Sequence, residues 1–520
     1  MKNAKPSITS FASDSTLIQS LKHIGRGVEK EGLRIDDHCH VSQIDHPASV
    51  GSTLTHPSIT TDYSEALLEF ITPVMNSPEQ TIEYLADLHR YTLDNIGSET
   101  IWPASMPCRL IGDDSIPIAK YGTSNVGQLK HVYRQGLGVR YGRIMQSIAG
   151  IHYNFSLPES FWQHYQELLG DSSDLQDFIS SHYFLLIRNF RRYSWLLYYL
   201  FGASPVLDKS FLNGRDHALQ QFTENTFGLE YATSLRMSDL GYQNSAQEDL
   251  HISYNSLEDY VTTLGDAVKI PYQPYEEIGV KRGDEFIQLN ANILQIENEY
   301  YSDIRPKRVT KSGEKPISAL QTRGVEYIEV RILDINPYLA EGIDAKQIKF
   351  LDSFLLFCAL SECPGASTTT SKDVKANQKN TILNGRHPEH TIITDGDTKP
   401  FKEVANDLLN CISEAASLLD ATHQSTQYTD SVELQRNKVD NPDMTASGKI
   451  MQQVSNGVEF VEQMQSLAKT HKSHFLAQQA IHLQDDEMRA TAEKSLQDQR
   501  QLEQNDRLSF EEFLTVYNQS

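Results

Sequence analysis

Arg26-Gly27-Val28-Glu29-Lys30-Glu31-Gly32-Leu33-Arg34 has the two-residue period of a β-strand, and its reading decides what the rest of the chain is built around. Residues two apart in a strand share a face, so Glu29 and Glu31 project side by side while Val28 and Lys30 point away. Two carboxylates about 4 Å apart at an effective dielectric near 20 repel by about 4 kcal/mol, so a partly buried pair must protonate or recruit a cation. Taken alone, the nonapeptide reads rather as a solvated strand edge.

Three further stretches extend the pattern. In Thr60-Thr61-Asp62-Tyr63-Ser64-Glu65-Ala66-Leu67-Leu68-Glu69-Phe70, Asp62 followed three residues on by Glu65 has the form of a capping box. It predicts a helix carrying Glu69 on nearly the same face as Asp62. Glu69 lies among Leu67, Leu68, Phe70 and Ile71, and a carboxylate in that company needs a metal or an arginine. Gly150-Ile151-His152-Tyr153-Asn154-Phe155-Ser156-Leu157 alternates strictly, with His152, Asn154 and Ser156 on the polar face. A lone strand histidine is more often structural than a ligand, and both readings stand for His152. Tyr327-Ile328-Glu329-Val330-Arg331-Ile332-Leu333-Asp334 also alternates, placing Glu329 and Arg331 on one face as an ion pair or as a metal ligand beside a phosphate-binding cation. Arg236 and the run Arg305-Pro306-Lys307-Arg308 are further cationic candidates, either of them also readable as plain surface.

The 520 residues carry 46 basic and 69 acidic side chains, a net charge of −23, with 39% hydrophobic and 22% charged residues. This is a globular composition, and so acidic a balance disfavours nucleic acid or an anionic membrane surface as partner. Neither GxxxxGK[ST] nor GxGxxG occurs, so a nucleotide would be held through metals and arginines. Five cysteines (Cys39, Cys108, Cys358, Cys363 and Cys411) form no CxxC pair, which fits reduced thiols in a cytoplasm. The amino terminus has no apolar signal region, and the most apolar stretch, Tyr183 to Phe201, is interrupted by Arg188, Arg191 and Arg192, as a core helix would be. No linker divides residues 1–365, which are expected to form one α+β catalytic unit. Ala366 to Pro400 and Thr422 to Ser447 are polar and read as surface loops, with a turn at Asn441-Pro442. Beyond Ile450, helical spacing predicts helices docked on the core, with Phe510 and Phe513 anchoring the end, so that 366–520 is not an independent domain.

Together with Tyr121-Gly122-Thr123-Ser124-Asn125, Ser234-Leu235-Arg236-Met237-Ser238-Asp239-Leu240-Gly241-Tyr242, Gln295-Ile296-Glu297-Asn298-Glu299 and Ile304-Arg305-Pro306-Lys307-Arg308-Val309-Thr310, these motifs closely resemble glutamate-cysteine ligase of the proteobacterial type. They follow the family's order over about the first 360 residues. The resemblance implies a curved, mainly antiparallel sheet forming a funnel flanked by helices, similar to the catalytic domain of glutamine synthetase. It implies ATP-dependent ligation of the γ-carboxylate of L-glutamate to the amine of L-cysteine through a γ-glutamyl phosphate, with glutathione as a feedback inhibitor. It also implies magnesium (Mg2+) held by Glu29, Glu31, Asp62, Glu69, His152 and Glu329, with Arg236 and Arg331 at the phosphates and the transferring group. Tyr133, Tyr242 and Tyr301 match the cysteine pocket, Tyr300 being the alternative to Tyr301. The competing readings are a related glutamate-amine ligase with another amine acceptor, a two-metal phosphohydrolase, and a non-catalytic metal- or nucleotide-binding protein.

Overall fold

The computed structural model describes residues 8–241, 245–248, 250–311, 314–362, 368–394 and 396–519. Its centre is a sheet of seven strands: β1 (Gly25–Ile35), β2 (Ile59–Thr61), β3 (Leu67–Ile71), β4 (Thr100–Ile101), β5 (Ile151–Ser156), β6 (Ile304–Lys307) and β7 (Tyr327–Leu333). The order across the sheet is β6-β7-β5-β1-β3-β2, with β4 beside the end of β1, and every pair is antiparallel. The three alternating motifs therefore become three adjacent strands, β7, β5 and β1. The expected antiparallel α+β architecture is present. β1 is buried along almost its whole length, so the solvated-edge reading of its nonapeptide is excluded.

The expected helix over Asp62 to Glu69 does not form. Leu67, Leu68 and Phe70 are fully buried in β3, which is paired on both sides, by β1 and by β2. Residues 62–66 make the tight connection between β2 and β3, where the Asp62 N–H donates to the Leu67 carbonyl at 2.9 Å. The Glu65 carboxylate accepts from the backbone N–H groups of His46 (3.0 Å) and Lys120 (2.7 Å) instead of capping a helix. Burial of an apolar run by long-range pairing overrides the local capping signal.

The reverse face of the sheet is covered by helices α1 (Pro78–Asn95), α3 (Leu175–Phe201) and α4 (Ala345–Leu360); α2 (Asn125–Tyr141) lies on the other side of the site. Tyr183 to Phe201 lies within α3, and no helix among the described residues is long and apolar enough to cross a membrane. Two polar anchors bind the reverse face. The Arg26 Nε donates to the Asp352 carboxylate of α4 at 2.7 Å, and Tyr153 donates to the same carboxylate at 2.6 Å. Lys30 lies 2.7 Å from Nε2 of His89 on α1, whose Nδ1 faces the Leu85 carbonyl at 2.8 Å. Burial pulls the Lys30 amine down to about 7 despite the opposing charge of Glu341.

The polar stretches expected to be loops are largely regular. Residues 366–400 contain α5 (Thr368–Asn384) and a hairpin of Thr391–Thr394 with Asp397–Pro400, and residues 422–447 contain α7 (Gln427–Asp440), which follows α6 (Phe401–His423). Composition misleads there because polar side chains make the tertiary bonds: Asn377 both donates to and accepts from the Ile393 backbone at 2.8 Å, and Asp420 accepts from Tyr428 N and Thr429 N at 2.9 Å. The turn at Asn441-Pro442 is present. The chain ends in α8 (Phe460–Leu476), α9 (Asp485–Asn505) and α10 (Phe510–Gln519). Cys39, Cys108 and Cys358 are buried free thiols and Cys411 an exposed one, while Cys363 lies outside the described residues.

Removing one member of a buried ion pair strands the other. Asp352→Ala is expected to lower stability by about 3–5 kcal/mol in urea unfolding, with Arg26 left uncompensated; an unchanged midpoint would show that the Arg26 charge is already satisfied by its other partners.

Candidate functional site

The strand registers bring distant carboxylates onto one face. Glu31 stands opposite Glu69, Glu29 opposite His152, and Glu329 opposite Asn154. His152 is the hub: Nδ1 lies 3.2 Å from Glu29 and 3.9 Å from Glu329, and Nε2 lies 3.9 Å from Glu31. Two sets, Glu29–His152–Glu329 and Glu31–Glu69–His152, have their ligand atoms within 4.8 Å of one another. Carboxylate oxygens dominate both sets, which is the donor chemistry of a hard divalent cation. Asp62 is outside both; its carboxylate is half exposed at the rim, 3.7 Å from Arg134.

Burial raises all four strand carboxyls, and their neighbours then separate them. The hydrogen bond and charge of His152, with Lys307, bring Glu29 below the usual carboxylate value. Lys307, Arg331 and His152 hold Glu329 well below it. Glu31 stays raised, with the Asp62 charge adding to burial. Glu69 is pushed well above its ordinary value by burial and by the charges of Glu29, Asp62 and Glu31. Glu31 and Glu69 are thus the two carboxyls whose charged form is disfavoured and whose charge a nearby cation would favour.

Cations frame this row. Arg331 Nη1 lies 3.1 Å from Glu329, and Lys307 Nζ lies 3.3 Å from it. The register of β7 against β5 shifts between Val330 and Leu333, so Arg331 sits at an irregularity that re-aims its side chain. The basic run is therefore not surface: Arg305 and Lys307 belong to β6, and burial together with the Arg331 charge lowers the Arg305 guanidinium. Arg236 donates to the Arg331 carbonyl at 3.0 Å and pairs with the buried Asp334 at 3.5 Å. Gly150 makes room for it, since a Cβ there would come within 2.1 Å of Arg236 Nη2. The Gly150 N–H also fixes Glu31, donating to its carboxylate at 2.6 Å.

Two cavities meet at the acidic row. One of about 160 Å³ lies toward Glu31, lined by Asp62, Arg134, Arg236, Arg331, Tyr133 and Tyr301. The other, of about 540 Å³, lies toward Glu29 and Asn154 and is mixed, with Ile71, Val74 and Val309 on its wall beside Glu159, Arg308 and Glu326. Tyr133, Tyr301, Arg236 and Arg331 thus share one cavity, which Tyr300 also lines; Tyr242 lies outside the described residues. Sequence reasoning missed Arg134 and Asp334. Arg134 donates to the Asp62 carbonyl and stacks on Tyr121, 4.6 Å from its ring centre, and only its position next to Tyr133 marks it in the sequence.

The family model for glutamate-cysteine ligase matches residues 10–381. The chain belongs to the glutamate-cysteine ligase family. It is 49% identical over 504 residues to the glutamate–cysteine ligase of Hahella chejuensis, covering 96% of each chain. It is 48% identical over 501 residues to that of Pseudomonas entomophila, covering 96% of this chain and 94% of the relative. A 2.0 Å crystal structure of glutamate–cysteine ligase from Francisella tularensis in complex with AMP superposes with a TM-score of 0.89 at 36% identity, over 95% of this chain and 97% of that one. A bifunctional glutathione synthetase from Pasteurella multocida superposes with a TM-score of 0.72 at 25% identity, over 90% of this chain and 55% of that one. The tail after residue 381 lies outside the family model but inside these full-length matches.

In chelator-treated protein the Glu69 carboxyl, raised when folded, keeps a proton that the unfolded chain releases near pH 4.5. Its contribution is complete below that value and is lost as pH rises through the folded value. Glu69→Gln is therefore expected to gain stability over the parent as pH rises from 5 to 8, read by thermal unfolding, and magnesium is expected to raise the parent's midpoint more than the variant's. A pH-independent difference would show that Glu69 is not electrostatically crowded.

Proposed function

We propose that the protein joins the γ-carboxylate of L-glutamate to the amine of L-cysteine at the expense of ATP, releasing γ-glutamylcysteine, ADP and phosphate, the first committed step of glutathione biosynthesis in the cytoplasm. The observation that carries this reading is the acidic row between an arginine-lined cavity and a larger one of mixed polar and apolar lining. A ligase of this kind needs such a division, because an anionic acid and an anionic nucleotide must meet at one phosphorus atom.

The larger cavity takes the nucleoside, its base among Ile71, Val74 and Val309 and its phosphates directed along Glu29 and Asn154. Glu29, His152 and Glu329 would hold one Mg2+ and Glu31 and Glu69 another, with Asp62 completing the set from the rim; a neutral imidazole has a single lone pair, so His152 would serve one ion only. When bound, Mg2+ neutralises phosphate oxygens and the charge that develops on them during transfer. The glutamate side chain enters from the arginine-lined cavity and attacks the γ-phosphorus of ATP; the phosphorus–oxygen bond to ADP breaks and a γ-glutamyl phosphate forms. Arg331, fixed against Glu329, presents its guanidinium to the transferring group, and Arg236, fixed by Asp334 and Gly150, orients the adjoining oxygens. The neutral cysteine amine then attacks the acyl carbon, phosphate leaves, and Tyr133 and Tyr301 flank the side chain of the acceptor. Glutathione contains the γ-glutamylcysteine unit and fits this same cavity as a feedback inhibitor. In architecture the curved sheet is read as the funnel of the glutamine synthetase catalytic domain, with residues 1–365 as core and 366–520 packed on it.

A coupled assay of ADP release decides the matter. Release is expected to require both amino acids and magnesium, and Arg331→Ala is expected to lose about 10²–10³ in kcat with the fold retained. Turnover without glutamate would mean a phosphohydrolase, preference for an amine lacking a thiol would reassign the acceptor, and near-normal release by the variant would remove Arg331 from the transfer.

A further inference from the structure

Helix α2 supplies one wall of the arginine-lined cavity through Tyr133, Arg134, Leu137 and Tyr141. It contains Gly127, Gly136 and Gly138, residues that weaken a helix interior, and only Asn125, Gly127, Val132 and Gly136 of its seventeen residues are buried. The glycines serve close approach: a Cβ on Gly136 would meet Gln295 Oε1 at 2.1 Å, and one on Gly138 would meet the Tyr63 hydroxyl at 2.5 Å. At its far end α2 is tied to segment 286–301 by Arg140, which donates to Gln288 at 2.8 Å, to the buried Glu299 at 2.9 Å and to the Asn290 carbonyl at 2.7 Å, so it is the glycine-weakened start of the helix that needs support from outside.

The tail meets the start of this helix. The Thr123 N–H donates to Glu503 at 2.9 Å, the Asn125 N–H donates to the Asp506 carboxylate, and the Asn125 side-chain amide donates to the Leu508 carbonyl at 2.9 Å. Two carboxylates thus lie at the positive end of α2 and take amides that would otherwise point at solvent. α9 is seated beside it: Ser52 N donates to Ser495 Oγ at 2.9 Å, and a Cβ on Gly122 would meet Gln499 Nε2 at 2.2 Å. α10 then crosses the outer side of α2. Leu514 packs with Val132 and Leu289 in a small hydrophobic cluster separate from the main core, against which Tyr133, Phe286 and Phe510 also rest. Phe510 meets the Phe286 ring edge-on at 5.3 Å, Glu511 pairs with Lys281 at 3.1 Å, and Lys315 lies over the Tyr517 ring at 5.0 Å. Segment 286–301, the second partner in these contacts, carries Asn298, Glu299, Tyr300 and Tyr301 into the opposite wall of the same cavity.

We propose that residues 499–519 are a splint that fixes the two walls of the amino-acid cavity relative to each other, with Asp506 and Leu514 as positioning residues acting through α2 and Tyr133. The identity of the cavity's ligands rests on the function proposed above, whereas the splint itself rests on the packing alone. Among the described residues, none of 499–519 lines the larger cavity, so the tail's influence is confined to one side of the reaction.

The full-length protein is compared with Leu514→Ser and Asp506→Ala, and with the conservative Leu514→Met and Asp506→Asn, which keep apolar bulk and hydrogen-bond acceptor respectively. The two disruptive variants are expected to exchange the backbone amides of α2 about tenfold faster, to raise KM for glutamate and cysteine several-fold, and to leave KM for ATP and the main thermal transition unchanged. The conservative variants are expected to restore the parent values. Unchanged exchange in α2, or a KM for ATP rising in step with those for the amino acids, overturns the splint. A parent protein that does not ligate overturns the proposed function, and the exchange measurement then still decides the splint.

Discussion

Glu29, Glu31, Glu69 and Glu329 project from β1, β3 and β7 onto one face, and the repulsion among them is the constraint that the surrounding structure answers. Unit charges about 4 Å apart repel by about 4 kcal/mol at an effective dielectric near 20. A loop would spread to relieve that strain. A sheet paired on both sides of β1 and clamped from behind by Arg26, Asp352 and Tyr153 holds its residues in place. The relief comes from His152 at the centre and from Lys307 and Arg331 on one flank, and Glu31 and Glu69 answer the remainder by holding their protons more tightly.

The same constraint orders the chemistry by side. Glu29 faces the larger cavity and Glu31 the arginine-lined one, and successive same-face residues of a strand lie about 7 Å apart. The two cavities therefore reach the row at different residues and from different sides. Arg134, Arg236, Arg305 and Arg331 give a strongly acidic protein one basic recess, where a carboxylate finds charge of the opposite sign.

What could be read from the sequence was what depends on period two. Glu29 and Glu31, His152 and Asn154, Glu329 and Arg331 share faces because strands alternate, and their apolar partners mark which face is buried. Their convergence was not written in the alternation, since register across strands more than a hundred residues apart is a property of the folded sheet; it entered through resemblance to a family. Local signals failed where tertiary pairing outweighed them. Asp62 and Glu65 have the spacing of a helix cap, yet the buried run that follows pairs as β3, so Glu69 faces Glu31. Polar composition at 366–400 and 422–447 concealed helices whose asparagine and aspartate side chains bond to neighbouring backbone. Asp334 gave no sign either, because its task of holding Arg236 depends on Ser204 and Ser234 arriving from elsewhere in the chain.

Lys30, between Glu29 and Glu31 of β1 and buried against His89 on the reverse side, has a consequence for how the strand finds its place. Sliding β1 by one residue against its neighbours would turn the ammonium toward the acidic face and drive both carboxylates into the apolar layer beside Phe70 and Leu68. Each error is costly, and one slip commits both. The alternation of carboxylate and ammonium along β1 thus also proofreads the assembly of the sheet, and a misthreaded molecule is unstable before it is inactive.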